Sequence, residues 1–278
     1  VRVLIWAAEL AKAFWSEVGT EEPFPRKLRQ PLRAMPLTVE QIPGLTLAGV
    51  CCWLERNGIA HEFSSPLKKG TVPLAGVEIL EKNEARQRDS PLFQRAVSGR
   101  DRPLRGCLTA QGGHGIILVD AADPEDEQCF TLAHELAHFL RDYWRPRERV
   151  LRRFGEATLE VLDGERPPTA GERVGALLTE VPLGFHMHLM ERDEHQRPVD
   201  RQSAEAEACA DCLACELLAP AEHVAAQGAA TETPTLLQER LVRDYGLPAG
   251  QAHRYARQLI GARPPVEPWL AALRKSLQ

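Results

Sequence analysis

The stretch Phe130-Thr131-Leu132-Ala133-His134-Glu135-Leu136-Ala137-His138-Phe139-Leu140 places the tightest constraint on what this chain can become. Leu132, Ala133, Leu136, Ala137, Phe139 and Leu140 make a helix here apolar on most sides, so it must run inside a domain. Two histidines and a glutamate are costly to bury there without partners. Residues four apart on a helix lie one above the other, so His134 and His138 point the same way with Glu135 beside them. That geometry lets two imidazoles hold one zinc ion, with a carboxylate placed to deprotonate zinc-bound water. Any helix can carry a five-residue H-E-x-x-H by chance; the buried setting is what argues for a metal site.

The rest of the composition fits a globular protein. A chain of 278 residues with 44% hydrophobic content can bury one large or two modest cores. No apolar run approaches a membrane span, and the first residues lack the charged and apolar segments of a secretory signal, so the expected location is cytoplasmic, with no membrane partner. The odd number of cysteines, seven, lacks the spacing of a disulfide scaffold and reads as reduced thiols. A net charge of −5 excludes a surface built throughout for nucleic acid.

The apolar pattern predicts a helix from Leu4 to Val18, a proline-rich connector, and a second helix from Thr38 to Arg56 stopped near Asn57-Gly58. A short strand is expected around Ile59 to Phe63, and loops with a short helix over 64–101. Leu104 to Leu108 and Gly115 to Val119 read as an antiparallel pair joined at Gln111-Gly112-Gly113-His114. Asp123 is a natural N-cap for the metal-motif helix, with Pro124 at its first position, and Pro146 should end it by about Arg145. Residues 146–202 read as a long loop-like insertion. Ser203 can cap a helix running to about Leu218, closed by Pro220. Two shorter helices follow, the first with a capping box at Thr235 to Gln238 and a stop at Gly246, the second from Pro248 to Leu259.

A catalytic zinc takes three protein ligands and keeps one open position. Glu205, Glu207, Asp211 and Glu216 on the helix after Ser203 are the candidates for the third. Glu207 shares the stripe Ala210, Leu213, Ala214, Leu217 and Leu218, which faces the core, so its carboxylate needs a cation there; Glu205 is the weaker candidate. Asp211, one turn on, can take a hydrogen bond from the outer nitrogen of a liganding histidine.

These residues resemble the ImmA/IrrE family of zinc metallopeptidases. The resemblance rests on Ile117-Leu118-Val119-Asp120, on Phe130 to His138, and on Glu207-x-x-Ala210-x-x-Leu213-Ala214-x-x-Leu217-Leu218-Ala219-Pro220, and covers roughly residues 45 to 225. Ala137 stands where the family usually has glycine, Ala219 where methionine is frequent and Asp211 where asparagine is common; none of these removes a ligand. The resemblance implies a gluzincin-like site with Zn2+ on His134, His138 and Glu207 and with Glu135 as general base. It also implies a protein substrate, a helix-turn-helix transcriptional repressor, in the setting of stress or mobile elements.

The expected architecture is α+β: a small antiparallel sheet packed against the two metal-bearing helices, with helical flanks at both ends. The expected division is an N-terminal helical extension over 1–44, a metallopeptidase domain over 45–225 containing the insertion, and a C-terminal helical segment over 226–278. An extended substrate is expected to pair with an exposed edge of the 103–119 sheet. Tyr143, His186 and His188 are the candidates for stabilising the transition state. Cys209, Cys212 and Cys215 read as packing residues rather than a metal cluster. The arginines of the closing helices allow DNA binding, although charged faces on short helices are usually only solvated. The competing reading is a catalytically weak metal-binding regulator that acts through protein or DNA binding.

Overall fold

The computed structural model describes residues 2–19, 23–57, 101–167, 169, 185–192, 201–228 and 232–262. Helix α1 is Arg2–Val18. Strand β1, Leu37–Ile42, precedes helix α2, Leu47–Arg56. Strands β2, Leu104–Gln111, and β3, His114–Asp120, lead into α3, Glu125–His138. A π-helical stretch, Phe139–Trp144, passes directly into α4, Arg145–Phe154. After the short helix α5, Leu159–Leu162, come strand β4, His186–Glu191, and helix α6, Arg201–Leu218. Helices α7, Ala221–Gln227, α8, Pro234–Tyr245, and α9, Ala249–Ala262, complete the described chain. The protein is thus α+β with helical flanks.

The four strands form one sheet in the order β1-β3-β2-β4. It is mixed rather than antiparallel, because β1 runs parallel to β3 while β2 is antiparallel to both β3 and β4. The β2–β3 turn depends on Gly112 and Gly113, both at positive φ (59° and 78°), the region a tight hairpin demands.

The alternation of side chains divides the sheet's two faces. Leu108, Ala110, Ile117 and Val119 join the main core with Phe130, Leu136 and Phe139 of the metal-motif helix and its extension. Cys107 and Leu118 face the other way, onto Leu47, Val50 and Leu54 of α2, with Met187 and Leu189 of β4 against the same cluster. Each fully buried Leu, Ile or Phe contributes about 1.5–3 kcal/mol. The main core extends through Ala7, Ala11 and Phe14 of α1 to Leu213 and Leu217 of α6 and to Leu237, Leu241 and Tyr255 of the closing helices. Trp15 Nε1 and Arg26 Nη1 both donate to the Leu217 carbonyl, at 3.1 and 2.9 Å, satisfying an end of α6 that has no intrahelical partner.

Several local expectations change. Residues 38–42, expected to begin a helix, fall instead in β1; its alternate residues fit a pleated edge as well as a helical stripe, and pairing with β3 decides. The metal-motif helix begins at Glu125, and Asp123 makes no capping bond. Its carboxylate is instead held by Arg192 Nη1 at 2.6 Å. Pro146 does not end the helical course. The π turn shifts the hydrogen-bond register, with Arg145 N–H bonding back to the Leu140 carbonyl, and Pro146 falls in the first turn of α4, where its missing N–H costs nothing. The 146–202 stretch is no plain loop, since it supplies α4, α5 and β4. Helix α6 begins two residues before Ser203, and α8 is capped by Thr233, whose hydroxyl accepts from Leu236 N–H, rather than by Thr235. Helix α9 runs past the expected end at Leu259 to Ala262. The strand expected at Ile59 to Phe63 and most of the 64–101 segment lie outside the described residues. Among the described residues no helix is long and apolar enough to cross a membrane.

Candidate metal centre

The last turns of α3 bring His134 and His138 onto one face, both buried, with their Nε2 atoms 3.2 Å apart. Helix α6 packs across α3 and presents Glu207 to the same point. Its Oε2 lies 3.3 Å from His134 Nε2 and its Oε1 3.5 Å from His138 Nε2. Glu207 keeps a side-chain exposure of 41%, so the centre opens to solvent on the α6 side.

The outer nitrogens are held by acids. Asp211 Oδ1 lies 3.0 Å from His134 Nδ1, and Asp142 Oδ2 lies 2.8 Å from His138 Nδ1. An ionised carboxylate only accepts, so each Nδ1 carries a proton, and each Nε2 is the atom left to turn a lone pair toward an ion between the rings. Arg141 pairs with both oxygens of Asp142 at 2.6 Å and also donates to the Ala206 carbonyl beside Glu207, which ties the π turn to α6.

Two inward lone pairs 3.2 Å apart beside a carboxylate repel unless a cation lies among them. Proton affinities show the same demand. Burial opposes charge on His134, yet Asp211 and Glu207 raise its pKa to about 9. Burial pushes the Glu207 carboxyl up, but hydrogen bonds from His134, His138 and His188 hold it well below the usual range. Burial likewise works against Asp142, and His138 with Arg141 bring it down to about 2. Two imidazoles and a carboxylate with acids behind both rings fit a divalent metal ion. The ligand atoms of His134, His138, Glu207 and His188 all lie within 4.8 Å of one another, so the described residues offer four donors to one ion.

Glu135 is fully buried beside this group. Its Oε2 lies 2.8 Å from His188 Nδ1, and its Oε1 has no hydrogen-bond partner. That buried, unpartnered oxygen faces Gly106 of β2, where an added Cβ would stand 3.1 Å from Oε1 and 2.5 Å from Thr131 Cγ2. Only glycine lets the strand sit so close on the helix.

The three other named candidates fall in different places. His188 is in the centre: its Nε2 lies 3.0 Å from Glu207 Oε1 and its ring stacks on His138 with centroids 3.7 Å apart. Burial opposes its charge, but Glu135 and Glu207 raise its pKa to about 10. His186 lies two residues away and outside the four-donor group; its Nε2 is buried without a partner and burial lowers its pKa. The Tyr143 hydroxyl accepts the Gly113 amide at 2.8 Å, so it is committed to the β2–β3 turn.

Asp142, Arg141 and Gly106 have site roles that the sequence patterns do not assign. Asp142 carries a readable signal, a carboxylate four residues after His138. Gly106 carries none in isolation. The edge expected to receive a substrate also changes, because β3 lies between β1 and β2, and β2 between β3 and β4. The segment Gly115 to Val119 therefore has no open side.

Elsewhere, Cys212 and Cys215 are buried in the main core, with burial pushing the Cys212 thiol up to about 12, consistent with packing. On the closing helices Arg240 pairs with Glu232, Arg243 with Asp244, and Arg254 reaches Asp211 at 3.4 Å, so acids partly offset the basic face.

Residues 86–159 match the family model Peptidase_M78, the IrrE N-terminal-like domain. The match covers β2, β3, α3 and the π turn, and with them His134, Glu135, His138 and Asp142, but it stops before His188 and Glu207. It supports membership of the ImmA/IrrE family and a metallopeptidase-like class. No curated protein and no solved structure matches the chain.

Proposed function

With the IrrE-type match as premise, we propose that this chain is a zinc-dependent endopeptidase acting on a specific protein substrate, a helix-turn-helix transcriptional repressor. The observation that carries the reading is the convergence of His134, His138 and Glu207 beside the buried carboxylate of Glu135. Only one oxygen of that carboxylate is engaged by His188; the other, Oε1, has no hydrogen-bond partner and remains available to take a proton.

When bound, the metal supplies Lewis acidity that activates water and polarises a scissile carbonyl. His134, His138 and Glu207 would hold it, while Asp211 and Asp142 fix the two rings in the ligating tautomer. Glu135 takes a proton from the attacking water and passes it to the leaving amine. Its burial against Gly106 and Thr131 keeps competing solvent away from the carboxylate.

The test is zinc analysis of the purified protein together with incubation of wild type and Glu135→Gln against helix-turn-helix repressors encoded beside it. Stoichiometric zinc and cleavage that disappears in Glu135→Gln are expected. A second reading, a metal-binding regulator with little proteolysis, draws support from His188, which engages both Glu135 and Glu207. Stoichiometric zinc without Glu135-dependent cleavage would select it.

A further inference from the structure

Strand β4 belongs to the 146–202 insertion and lies beyond the matched family segment. It pairs antiparallel with β2, in the register Cys107↔Leu189, Leu108↔His188 and Thr109↔Met187. Strand β2 rests directly on the metal-motif helix at Thr131 and Glu135, through the close approach of Gly106. An extended peptide adding to the free side of β2 would take the place that β4 fills.

Side-chain alternation decides what β4 delivers there. Met187 and Leu189 pack on the α2 side, whereas Met190 packs with the main core. His186 and His188 share the Met190 face and turn toward α3. His188 thereby places one ring nitrogen on Glu135 and the other on Glu207, with the ring laid over His138. One oxygen of the group proposed to take the water proton is thus occupied, and four protein donors surround the metal position. Four donors complete a tetrahedral shell, whereas a catalytic zinc keeps one position open.

The strand is also built as an attachment. All six of its residues are half-buried, none fully. Beyond the ladder it is held at one end by ion pairs, Arg192 with Asp120 and Asp123, and Arg102 with Glu191.

We propose that β4 is a built-in latch: it occupies the substrate's place beside β2 and inserts His188 as a fourth metal donor, so the folded chain holds a filled coordination shell in which a position opens when β4 lifts. This inference concerns the regulation of the proposed peptidase site and rests on that reading for the identity of the metal centre.

The test loads the full chain with Co2+ and follows its visible absorption during titration with acetohydroxamate, a small chelating ligand that needs an open coordination position. Wild type is compared with His188→Ala, with His188→Gln, which keeps hydrogen-bonding capacity but is a poor ligand, and with Arg192→Ala, which loosens the strand from outside the centre. Both His188 variants should keep stoichiometric cobalt and bind the hydroxamate at least about ten-fold more tightly than wild type, with Arg192→Ala between them. Equal hydroxamate affinity in all four proteins would overturn the latch. So would loss of cobalt from both His188 variants, since His134, His138 and Glu207 would then be insufficient. If His188→Ala opens the cobalt site yet cleaves no peptide in a Glu135-dependent way, the latch stands and the peptidase reading falls. If wild type binds the hydroxamate and cleaves as well as the variants do, the peptidase reading stands and the latch falls.

Discussion

Removing the acid behind one histidine should weaken the metal without dismantling the helix that carries it. Asp142 is the cleanest place to do this. Its Oδ2 lies 2.8 Å from His138 Nδ1, and Arg141 anchors the carboxylate on both oxygens. Asp142→Asn keeps an acceptor oxygen in the same place but loses the charge that makes the imidazole a stronger donor. Asp142→Ala removes orientation and charge together. Partners of this kind are worth about 10–100-fold in metal affinity, or about 1.4–2.7 kcal/mol, so the asparagine variant is expected near the lower value and the alanine variant near the upper. Asp211→Asn should weaken binding less than Asp142→Asn, because Asp211 is 35% exposed and has no anchor comparable to Arg141. The two acids serve different rings, so the double asparagine variant should approach the product of the single effects. Competition against a chromophoric chelator gives the affinities, and circular dichroism during melting confirms that the fold persists. A well-folded Asp142→Ala that binds zinc within about twofold of wild type would refute the assigned tautomers and with them the inward lone pairs of His138.

Other outcomes follow from the same geometry. Gly106→Ala drives a methyl to 2.5 Å from Thr131 Cγ2; overpacking of this kind costs about 1–3 kcal/mol and should lower the melting temperature while displacing Glu135. An unchanged melting curve would show that β2 can lift freely from α3. Tyr255→Phe strands the buried Glu216 Oε1 that the hydroxyl reaches at 2.7 Å; about 1–3 kcal/mol of stability is expected to go, read by chemical denaturation. Metal affinity should climb with pH through neutrality and level off above about 10, because the metal must displace the protons that Asp211 and Glu207 help His134 retain, and that Glu135 and Glu207 help His188 retain, in the metal-free state. A chelator titration that is flat over this range would contradict that proton competition.

What the sequence makes legible is what helical spacing controls. His134 and His138 are four apart on an apolar helix, and Glu207 stands on an apolar stripe of another; both patterns place side chains before any tertiary contact is known. Asp211 follows from the same reasoning, one turn beyond Glu207. The sheet is harder. Residues 37–42 and 186–191 are short, only partly apolar, and stabilised by partners far along the chain, so no local period marks them as β1 and β4. His186, His188 and Met190 alternate with Met187 and Leu189 as a two-faced strand should, but in a segment dense with charge that alternation passes for a loop. Pro146 misleads for a different reason. The usual steric rule assumes an α register before proline, and the π turn at Phe139–Trp144 changes that register.

The sheet order has a consequence for how the chain assembles. Strands β2 and β3 are joined by a two-residue turn and can pair on the timescale of a local hairpin, while β4 must close a loop that spans the whole of α3, α4 and α5 before it can dock. His188 and Glu135 are 53 residues apart in sequence, whereas His134 and His138 are brought together by four residues of helix. The two histidines are therefore in place early, and the third arrives with the last strand. A nascent chain would pass through an interval in which α3 presents only two donors while His188 on β4 and Glu207, farther along on α6, are still undocked, so the coordination shell fills in the order in which these distant elements dock.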